Sequence, residues 1–390
     1  MSKKYVLFVM RYTIPDKENQ LSDYHPKFDD QISAMRSLGF VCINVAVGKD
    51  GVYYIIDGEK HLFKRIKKMS AFFYHYQCYK EIYNLAVFLS RQYKIEMAYI
   101  RNCPTVFTYI KMMKNLKKNV GNVVVEIPTY PSKDEVKASK KISDKLFYPY
   151  LSFIEKQASK YVDLFVLIGK KADTFRGKKA INIINGTNIS GYKAHSKRNP
   201  DGFFHIICLA GMNHYHGFDR LILSLIDYYE RGNVKNVFIH LVGPDVDGSL
   251  SKWMKMANNS VVSGYVLEEG PMRGKALDDM FDKCDFACGS LGLFRKKMRT
   301  GFDLKCAEYM SRGIPFICCN FTDSFFSNIP HCYSKVSEDE SLISFDDIYN
   351  FMSIEALEEN ATEDLRNYAK KLNWESQFSK ILDNLRHNDD

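Results

Sequence analysis

The segment from Asp303 to Cys318 carries the side chain best suited to chemistry in this chain, and it reads D-L-K-C-A-E-Y-M-S-R-G-I-P-F-I-C. Glu308 lies on a predicted short helix that Gly313 and Pro315 end. The apolar run at 314–317 predicts a buried parallel strand. A carboxylate at a helix start, facing the carboxyl end of a parallel sheet, is well placed to accept hydrogen bonds from the two hydroxyls of a ribose. An ordinary surface carboxylate is the alternative for this segment taken alone.

The elements that must position this carboxylate alternate between strand and helix along the whole chain. Predicted strands lie at 5–10, 41–47, 97–100, 123–127, 161–168 and 180–184, and then at 203–209, 237–242, 260–263, 286–288 and 315–319. Such alternation predicts parallel sheets with helices on both faces. The polar stretch 190–202 interrupts the pattern and is interpreted as a linker between two domains.

Length and composition predict a soluble two-domain protein. The chain has 390 residues, of which 46% are hydrophobic and 26% charged, and its apolar runs are too short to span a bilayer. The first residues lead directly into a predicted strand, so we expect no cleaved signal and a cytoplasmic location. The ten cysteines are scattered, which suits buried thiols in a reducing compartment better than zinc ligands.

The charge is concentrated in one half of the chain. Residues 1–195 contain 33 Lys and Arg against 17 Asp and Glu, a balance of +16, whereas the remainder has 22 against 29, a balance of −7. Basic residues alternate with apolar ones at 61–69, 111–119 and 137–150. Such stretches are attracted to anionic lipid, and also to a polyanion such as RNA, although solvated helix faces are an equal alternative. We expect a peripheral position on an anionic membrane surface and no nucleic-acid partner.

Several motifs occur in an order that identifies a known family. They are I-E-K-Q-A-S-K-Y-V-D-L-F-V-L-I-G at 154–169, I-N-I-I-N-G-T-N-I at 181–189, H-L-V-G-P-D-V-D-G at 240–248, V-V-S-G-Y-V at 261–266 and L-N-W-E-S-Q-F-S-K-I-L at 372–382. With the segment around Glu308 and the run 206–225, they resemble the retaining glycosyltransferases of family 4 over nearly the whole chain. E-I-P-T-Y-P at 126–131, H-G-F-D-R at 216–220 and G-S-L-G-L-F-R-K at 289–296 resemble a bacterial branch that builds capsular or other surface polysaccharide.

The resemblance implies an α/β fold of the GT-B type, with two tandem Rossmann-like doubly wound domains and a cleft between them. The first domain is expected at 1–195, completed by a C-terminal helix at 374–390 that crosses back to it, and the second at 200–373. The implied activity transfers a sugar, with retention, from a nucleotide-diphosphate sugar to a lipid-linked oligosaccharide at the inner face of the cell membrane. No cofactor is implied.

The resemblance also suggests roles for individual residues. The expected catalytic residues are Glu126 and His216, and the expected acceptor-binding residues are Arg101, Thr129 and Tyr130. The expected donor-binding residues are Gly211, Met212, Asn213, Gly217, Gly243, Tyr265, Val266, Arg295, Lys296, Phe302, Asp303, Leu304, Lys305 and Glu308.

The chain departs from the family at two points. Thr300 stands where the family has a first glutamate, and the positions of its usual phosphate-binding Arg and Lys fall near Met212–Asn213 and on His216. Diphosphate binding is therefore expected to depend on Lys305, Arg295, Lys296 and helix N-termini, whose free N–H groups favour an anion. Asp245-Val-Asp247 resembles a metal-binding pattern but is interpreted as a polar turn, so no metal site is expected.

Two other functions remain open from the sequence. One is a sugar-nucleotide epimerase of the same fold. The other is a catalytically inactive subunit of a polysaccharide assembly complex, which the absence of the first glutamate would permit.

Overall fold

The computed structural model describes residues 3–14, 25–67, 70–130, 136, 142–169, 171–196, 201–296, 304–319 and 329–386. Within these ranges the chain forms two sheets with helices packed on them. The chain separates into two compact units, Met1–Ile184 with Trp374–Asp390 (unit 1), and Asn185–Asn373 (unit 2).

Unit 1 is built on a nine-stranded sheet whose order is β4-β3-β2-β1-β5-β6-β7-β9-β8. Its strands are β1 (Tyr5–Thr13), β2 (Val41–Gly48), β3 (Gly51–Ile56), β4 (Glu59–Arg65), β5 (Ile95–Arg101), β6 (Asn122–Tyr130), β7 (Leu164–Gly169), β8 (Thr174–Phe175) and β9 (Lys178–Ile183). Its helices are α1 (His25–Ser37), α2 (Ala71–Gln92), α3 (Thr108–Asn119) and α4 (Ile142–Ala158). The central strands are parallel and almost wholly apolar, as expected for strands buried on both faces.

Unit 2 is built on a six-stranded parallel sheet whose order is β12-β11-β10-β13-β14-β15. Its strands are β10 (Phe204–Leu209), β11 (Val237–Val242), β12 (Val266–Gly270), β13 (Phe286–Cys288), β14 (Phe316–Cys319) and β15 (Cys332–Val336). Its helices are α5 (Phe218–Glu230), α6 (Ser249–Asn258), α7 (Gly274–Lys283), α8 (Leu304–Arg312), α9 (Phe345–Glu355) and α10 (Ala361–Lys370). A last helix, α11 (Trp374–Arg386), belongs to unit 1.

The return of the C-terminal helix to unit 1 confirms the expectation from the sequence. Trp374, Phe378, Ile381 and Leu385 recur at helical spacing and are all buried. The ring of Phe378 packs edge-on against Tyr99, with ring centroids 5.2 Å apart. This apolar stripe fixes α11 on the sheet of unit 1.

One predicted strand is wrong, and the structure adds detail at two other segments. The predicted strand at 260–263 is a turn, and the strand lies at Val266–Gly270. The basic stretch at 61–69 lies largely in β4, which forms an antiparallel hairpin with β3 that the alternating pattern did not predict. The described part of the predicted linker is anchored in unit 2, because Ser196 Oγ donates to Asp282 and the backbone N–H of His195 donates to the carbonyl of Arg312.

No described helix combines the length and the apolar character needed to cross a bilayer.

Candidate functional site

The sheet of unit 2 has a topological switch point between β10 and β13. From β10 the chain continues to β11 on one side, whereas β13 pairs with β10 on the other side. In open parallel sheets, ligands bind outside the carboxyl ends of the strands at such a point. The segment 211–217 follows β10 and the segment 289–292 follows β13, so both lie at this position.

Two glycines allow the backbone segments at this edge to approach each other. Gly217 has φ 69°, and a Cβ there would lie 2.5 Å from the backbone nitrogen of Gly292. Gly243, directly after β11, has φ 142°, and a Cβ there would lie 1.7 Å from the carbonyl oxygen of Ala210. Neither position accepts a side chain without moving the backbone. Both glycines were expected at the donor site. The structure shows why glycine stands at each position: the backbone has a positive φ and another segment passes too close for a side chain.

Lys305, His216 and Ser290 form a polar cluster at the switch point. Lys305 extends from the first turn of α8, and its Nζ lies 2.9 Å from His216 Nδ1 and 3.0 Å from Ser290 Oγ. Ser290 Oγ lies 2.8 Å from the same ring nitrogen. An ammonium group only donates, so Nδ1 accepts and the imidazole carries its proton on Nε2. The cluster brings together residues from three segments, of which the one with His216 lies 89 residues before Lys305 in the sequence.

The protonation of His216 argues against a role as general acid. Burial lowers the pKa of this imidazole far below its usual range, and the nearby charges of Lys305 and Lys296 lower it further. The neutral ring has its Nδ1 engaged by Lys305. We therefore infer that His216 positions the ammonium group of Lys305, in place of the catalytic role expected from the sequence.

Glu308 has one anchored and one open carboxylate oxygen. Arg312 Nε donates to Oε1 at 2.8 Å, and Arg312 in turn donates to Asp278 at 2.7 Å. Among the residues that the structure describes, none donates to Oε2 of Glu308. Burial raises the pKa of this carboxyl, an effect that the charge of Arg312 partly offsets. The arrangement fixes the carboxylate and leaves one oxygen for a hydroxyl donor.

Arg295 is held by protein groups on every side. Its Nε and one terminal nitrogen donate to the two oxygens of Glu340, and its terminal nitrogens also donate to both oxygens of Asp219 and to the carbonyl of His214. These bonds use all five N–H groups of the guanidinium. We infer a structural role for Arg295 instead of the expected phosphate contact. The neighbouring Lys296 places its Nζ 3.3 Å from the ring centroid of Tyr215.

Tyr265 and Val266 lie at the amino end of β12, whereas the donor-site residues lie at the carboxyl ends of the strands. The ring of Tyr265 packs against Tyr229 and Phe238, with both centroid distances 5.3 Å. This placement contradicts their expected contact with a nucleobase, because the two ends of a parallel strand are on opposite edges of the sheet. The strand begins at Val266, six residues later than the predicted strand at 260–263.

The loop that leaves the carboxyl end of β12 is the segment 270–273, which the sequence motifs did not indicate as part of the site. Gly270 ends the strand with φ 71°, and its carbonyl accepts a hydrogen bond from the backbone N–H of Gly243. Arg273 directly precedes α7. The signal that identifies this loop is V-L-E-E-G at 266–270, a strand ending in glycine.

The remaining residues expected at the donor site fall into two groups. Gly211, Met212 and Asn213 directly follow β10, and Met212 is buried in the core, with its backbone N–H bonded to the carbonyl of Pro244. Leu304 is the first residue of α8. Phe302 and Asp303, and also Thr300, lie outside the described residues.

The prediction of a polar turn at Asp245 and Asp247 is confirmed. Asp245 accepts hydrogen bonds from the backbone N–H groups of Gly248 and Ser251, at the start of α6. Asp247 accepts from the backbone N–H and the ring of His214. Both carboxylates therefore satisfy backbone donors. Over the described ranges, no three His, Cys, Asp or Glu side chains are grouped so that they could hold a metal ion.

Glu126 of unit 1 is a buried carboxylate with four hydrogen-bond donors. Lys27 Nζ donates to Oε1 at 3.0 Å and Arg101 donates to the same oxygen at 2.8 Å. Tyr99 Oη and Gln31 Nε2 donate to Oε2 at 2.6 Å and 2.9 Å. A carboxylate has about four acceptor positions, and all are used here.

The electrostatics of this cluster favour a positioning role for Glu126. Burial alone would raise the pKa of Glu126, but Lys27 and Arg101, with the hydrogen bonds from Tyr99 and Gln31, lower it to about 2. An ionised carboxylate with such a low pKa and no open acceptor position is poorly suited to take a proton from a substrate. We infer that Glu126 holds Lys27 and Arg101 in place, and this inference replaces the expected catalytic role.

The three expected acceptor-site residues lie near the carboxyl edge of the unit 1 sheet. Arg101 ends β5 and contacts Glu126. Thr129 and Tyr130 are the last two residues of β6, and the ring of Tyr130 packs edge-on against Phe175 at 5.6 Å. The structure brings Arg101 and Glu126 together, since the two residues are partners in the register of β5 and β6.

Comparisons with known proteins agree with this architecture. Sucrose-phosphate synthase from Thermosynechococcus elongatus has a TM-score of 0.66 and 10% identity, with 99% of this chain and 100% of that chain covered. HepE from Anabaena, solved with UDP and also with UDP-glucose, has a TM-score of 0.62 and 11% identity in the UDP complex, over 98% of this chain and 100% of that one. A glycosyltransferase from Rickettsia africae has a TM-score of 0.61 and 11% identity, over 99% of each chain.

No protein-family model and no curated protein sequence matches the chain. At such low identities, the similarity to solved structures concerns the fold. The chain has the GT-B fold over its whole length.

Proposed function

We propose that the protein is a glycosyltransferase that takes its sugar from a nucleotide-diphosphate sugar bound by unit 2. The observation that carries this proposal is the cluster of Lys305, His216 and Ser290 at the switch point of the sheet. The ammonium group of Lys305 is positioned by two neutral partners, His216 and Ser290, so its positive charge is suited to binding a diphosphate. Glu308, one turn along α8 from Lys305, offers its open oxygen to the ribose.

The chemistry that these groups support is the departure of a nucleoside diphosphate. Lys305 is a fixed positive charge, and α5 follows Gly217 with no side-chain cap on its first turn. Fixed charges and free helix N–H groups stabilise negative charge as it develops on the leaving phosphate, at no cost in reorganisation. On this basis we propose a reaction that needs no divalent metal. We also propose retention of configuration, which the resemblance to family 4 supports.

The proposed acceptor is a lipid-linked oligosaccharide used in surface polysaccharide assembly. The charge balance of +16 over residues 1–195 supports it, because an enzyme that takes its acceptor from an anionic membrane benefits from a basic acceptor domain. Arg101 adds a cation at the carboxyl edge of that sheet. We propose a peripheral position on the cytoplasmic face of the membrane.

Calorimetry with UDP and uridine tests the donor site. Lys305→Met should weaken UDP binding by about 10- to 100-fold, the equivalent of one hydrogen bond to a charged group, and should change uridine binding little. Lys252→Met is the matched control, because Lys252 is an exposed lysine on α6 of the same unit. Equal losses for UDP and uridine, or an equal effect of the control, would contradict the proposed phosphate site.

A transfer assay separates an active enzyme from an inactive subunit. Purified protein with UDP-glucose as first probe donor should release UDP, slowly in water and faster with a lipid-linked glycan extract. Binding of nucleotide sugars without any release of UDP, across a panel of donors, would favour the inactive subunit. Conversion of the donor to its epimer would favour the epimerase.

A further inference from the structure

Helix α4 exposes apolar side chains to solvent along its central turns. Leu146 is 74% exposed, Phe147 53% and Phe153 50%, and Tyr150 is also exposed. Leu146, Tyr150 and Phe153 recur at i, i+4 and i+7, so they lie on one side of the helix. We call these four residues the α4 apolar face. Single exposed apolar residues are ordinary, but a contiguous group of this size marks a surface that binds something.

Aromatic residues of two neighbouring helices extend the α4 apolar face. Phe107, which directly precedes α3, is 60% exposed, and its ring lies edge-on to Tyr150 with centroids 5.5 Å apart. Tyr76 of α2 is exposed and close enough to Tyr150 to influence it, since burial and then the Tyr76 hydroxyl raise the pKa of Tyr150. The exposed surface therefore joins three helices and is rich in Phe and Tyr.

The structure distinguishes this surface from the other two basic stretches of unit 1. In the stretch 111–119, Met112, Met113 and Leu116 are buried. The apolar side of α3 therefore packs against the core of unit 1 and is not exposed for binding. The stretch 61–69 lies largely in β4, and its Ile66 is buried. Of the three stretches, as far as the structure describes them, the one that contains α4 combines basic residues with a group of apolar side chains that remain exposed.

The sequence around the start of α4 is basic. Lys145 is exposed in its first turn, and Lys137, Lys140 and Lys141 precede it in the sequence by a few residues. In the same segment, 137–150, the only acidic residue is Asp144. Lys145 beside exposed Phe, Tyr and Leu matches the two layers of a lipid interface, where anionic headgroups lie above the first part of the acyl chains.

We propose that the α4 apolar face inserts into the interfacial region of an anionic lipid bilayer, with Lys145 on the headgroups. The proposal deepens the membrane position suggested under Proposed function, which rested on net charge, by assigning it to one surface. Insertion of the apolar side chains would hold unit 1 at the surface at salt concentrations that screen the lysines.

Vesicle sedimentation tests this assignment. The probes are phosphatidylcholine vesicles with and without about one third phosphatidylglycerol, at about 50 mM and about 500 mM salt. The test variant is Leu146→Ser with Phe147→Ser. The matched control is Ile354→Ser with Leu357→Ser, because these two residues are 53% and 82% exposed at the end of α9 in unit 2. All four substitutions affect exposed positions, so folding should be preserved.

The wild-type chain and the control should bind anionic vesicles alike, and the test variant should bind at least about tenfold more weakly. Lys145→Glu should weaken binding at low salt more than at high salt. Equal binding of the test variant and the wild-type chain would overturn the proposal. So would equal binding of the wild-type chain to neutral vesicles, or a wild-type dimer that the test variant converts to a monomer, since the face would then join two copies.

Vesicle binding and UDP binding test the two proposals independently. The test variant should bind UDP with the affinity of the wild-type chain. Loss of vesicle binding with normal UDP binding supports the assignment of this face. Normal vesicle binding without any UDP binding would refute the proposed function and leave the membrane contact unaffected.

Discussion

Replacing Glu126 by Gln tests whether this carboxylate is a structural anion or a catalytic base. Its pKa is about 2 in the folded protein, against an ordinary value of 4.5. At about 1.4 kcal/mol for each pKa unit, ionisation in the folded state contributes about 3 kcal/mol of stability at neutral pH. In the same cluster, burial lowers the pKa of Lys27 from 10.5 to about 8, which costs a similar amount. The ion pair therefore adds little net stability, as is usual for buried pairs.

The variants separate these opposing contributions. Glu126→Gln leaves the buried Lys27 and the half-buried Arg101 without their counter-charge, and this should cost about 3–5 kcal/mol. Adding Lys27→Met to that variant should recover part of the loss, because one uncompensated charge is removed. The loss from the double variant should therefore be smaller than the sum of the two single losses.

The pH dependence follows from the direction of the shift. The folded pKa lies below the unfolded one, so the unfolded chain binds the proton first as the pH falls. The stability due to Glu126 is present above about pH 4.5 and is lost as the pH falls towards 2. The difference in stability between the wild-type chain and Glu126→Gln should therefore shrink as the pH is lowered from 5 to 3.

Tryptophan fluorescence during urea unfolding can follow unit 1 alone. The chain has two tryptophans, and Trp374 lies in unit 1 whereas Trp253 lies in unit 2. In a Trp253→Phe background, Trp374 reports on the unit that contains Glu126. A Glu126→Gln variant within about 1 kcal/mol of the wild-type chain at pH 7, with transfer activity lost, would refute the structural role and restore Glu126 as a catalytic residue.

Four further predictions concern unit 2. Glu308→Gln should remove the fall in uridine affinity at low pH, because burial raises the pKa of this carboxyl and protonation weakens its open oxygen as an acceptor for the ribose; an unchanged pH profile in calorimetry would contradict this. Gly217→Ala should destabilise the unit by about 2–4 kcal/mol in thermal unfolding, because φ is positive and the backbone of Gly292 is too close; a change under about 0.5 kcal/mol would refute the reasoning. Arg295→Met should weaken UDP and uridine binding equally, since its donors are all used within the protein; a loss confined to UDP would restore the phosphate contact. The double variant Asp245→Ala with Asp247→Ala should lower the stability of the unit by about 1–2 kcal/mol, because both carboxylates accept backbone N–H groups at the start of α6. Its transfer activity should nevertheless survive excess chelator, and activity that only manganese restores would contradict the expectation of a metal-free reaction.

The amino-acid sequence by itself determined the elements and their order. Apolar runs predicted most of the strands of the two sheets. The motif at 372–382 indicated the last helix through its resemblance to family 4, and the structure has that helix at Trp374–Arg386. The motifs singled out Gly217 and Gly243, and both have the positive φ that favours glycine. These features depend on neighbours in the sequence, because local backbone preferences and side-chain periodicity act over a few residues.

Tertiary structure decided which side chains meet. His216 and Lys305 are 89 residues apart, and only the pairing of β10 with β13 and the packing of α8 bring the ammonium group to the imidazole. Tertiary structure also decided the partners of Glu126. Its four hydrogen-bond donors come from α1 and β5, and they occupy the acceptor positions that a catalytic base would need.

The strand predicted at 260–263 lies at Val266–Gly270. Tyr265 was therefore predicted after the carboxyl end of a strand but precedes the amino end of β12, on the opposite edge of the sheet. The sequence determines periodicity and turns because they are local. It leaves sheet order, strand ends and side-chain partners open, because these depend on contacts between residues that are far apart along the chain.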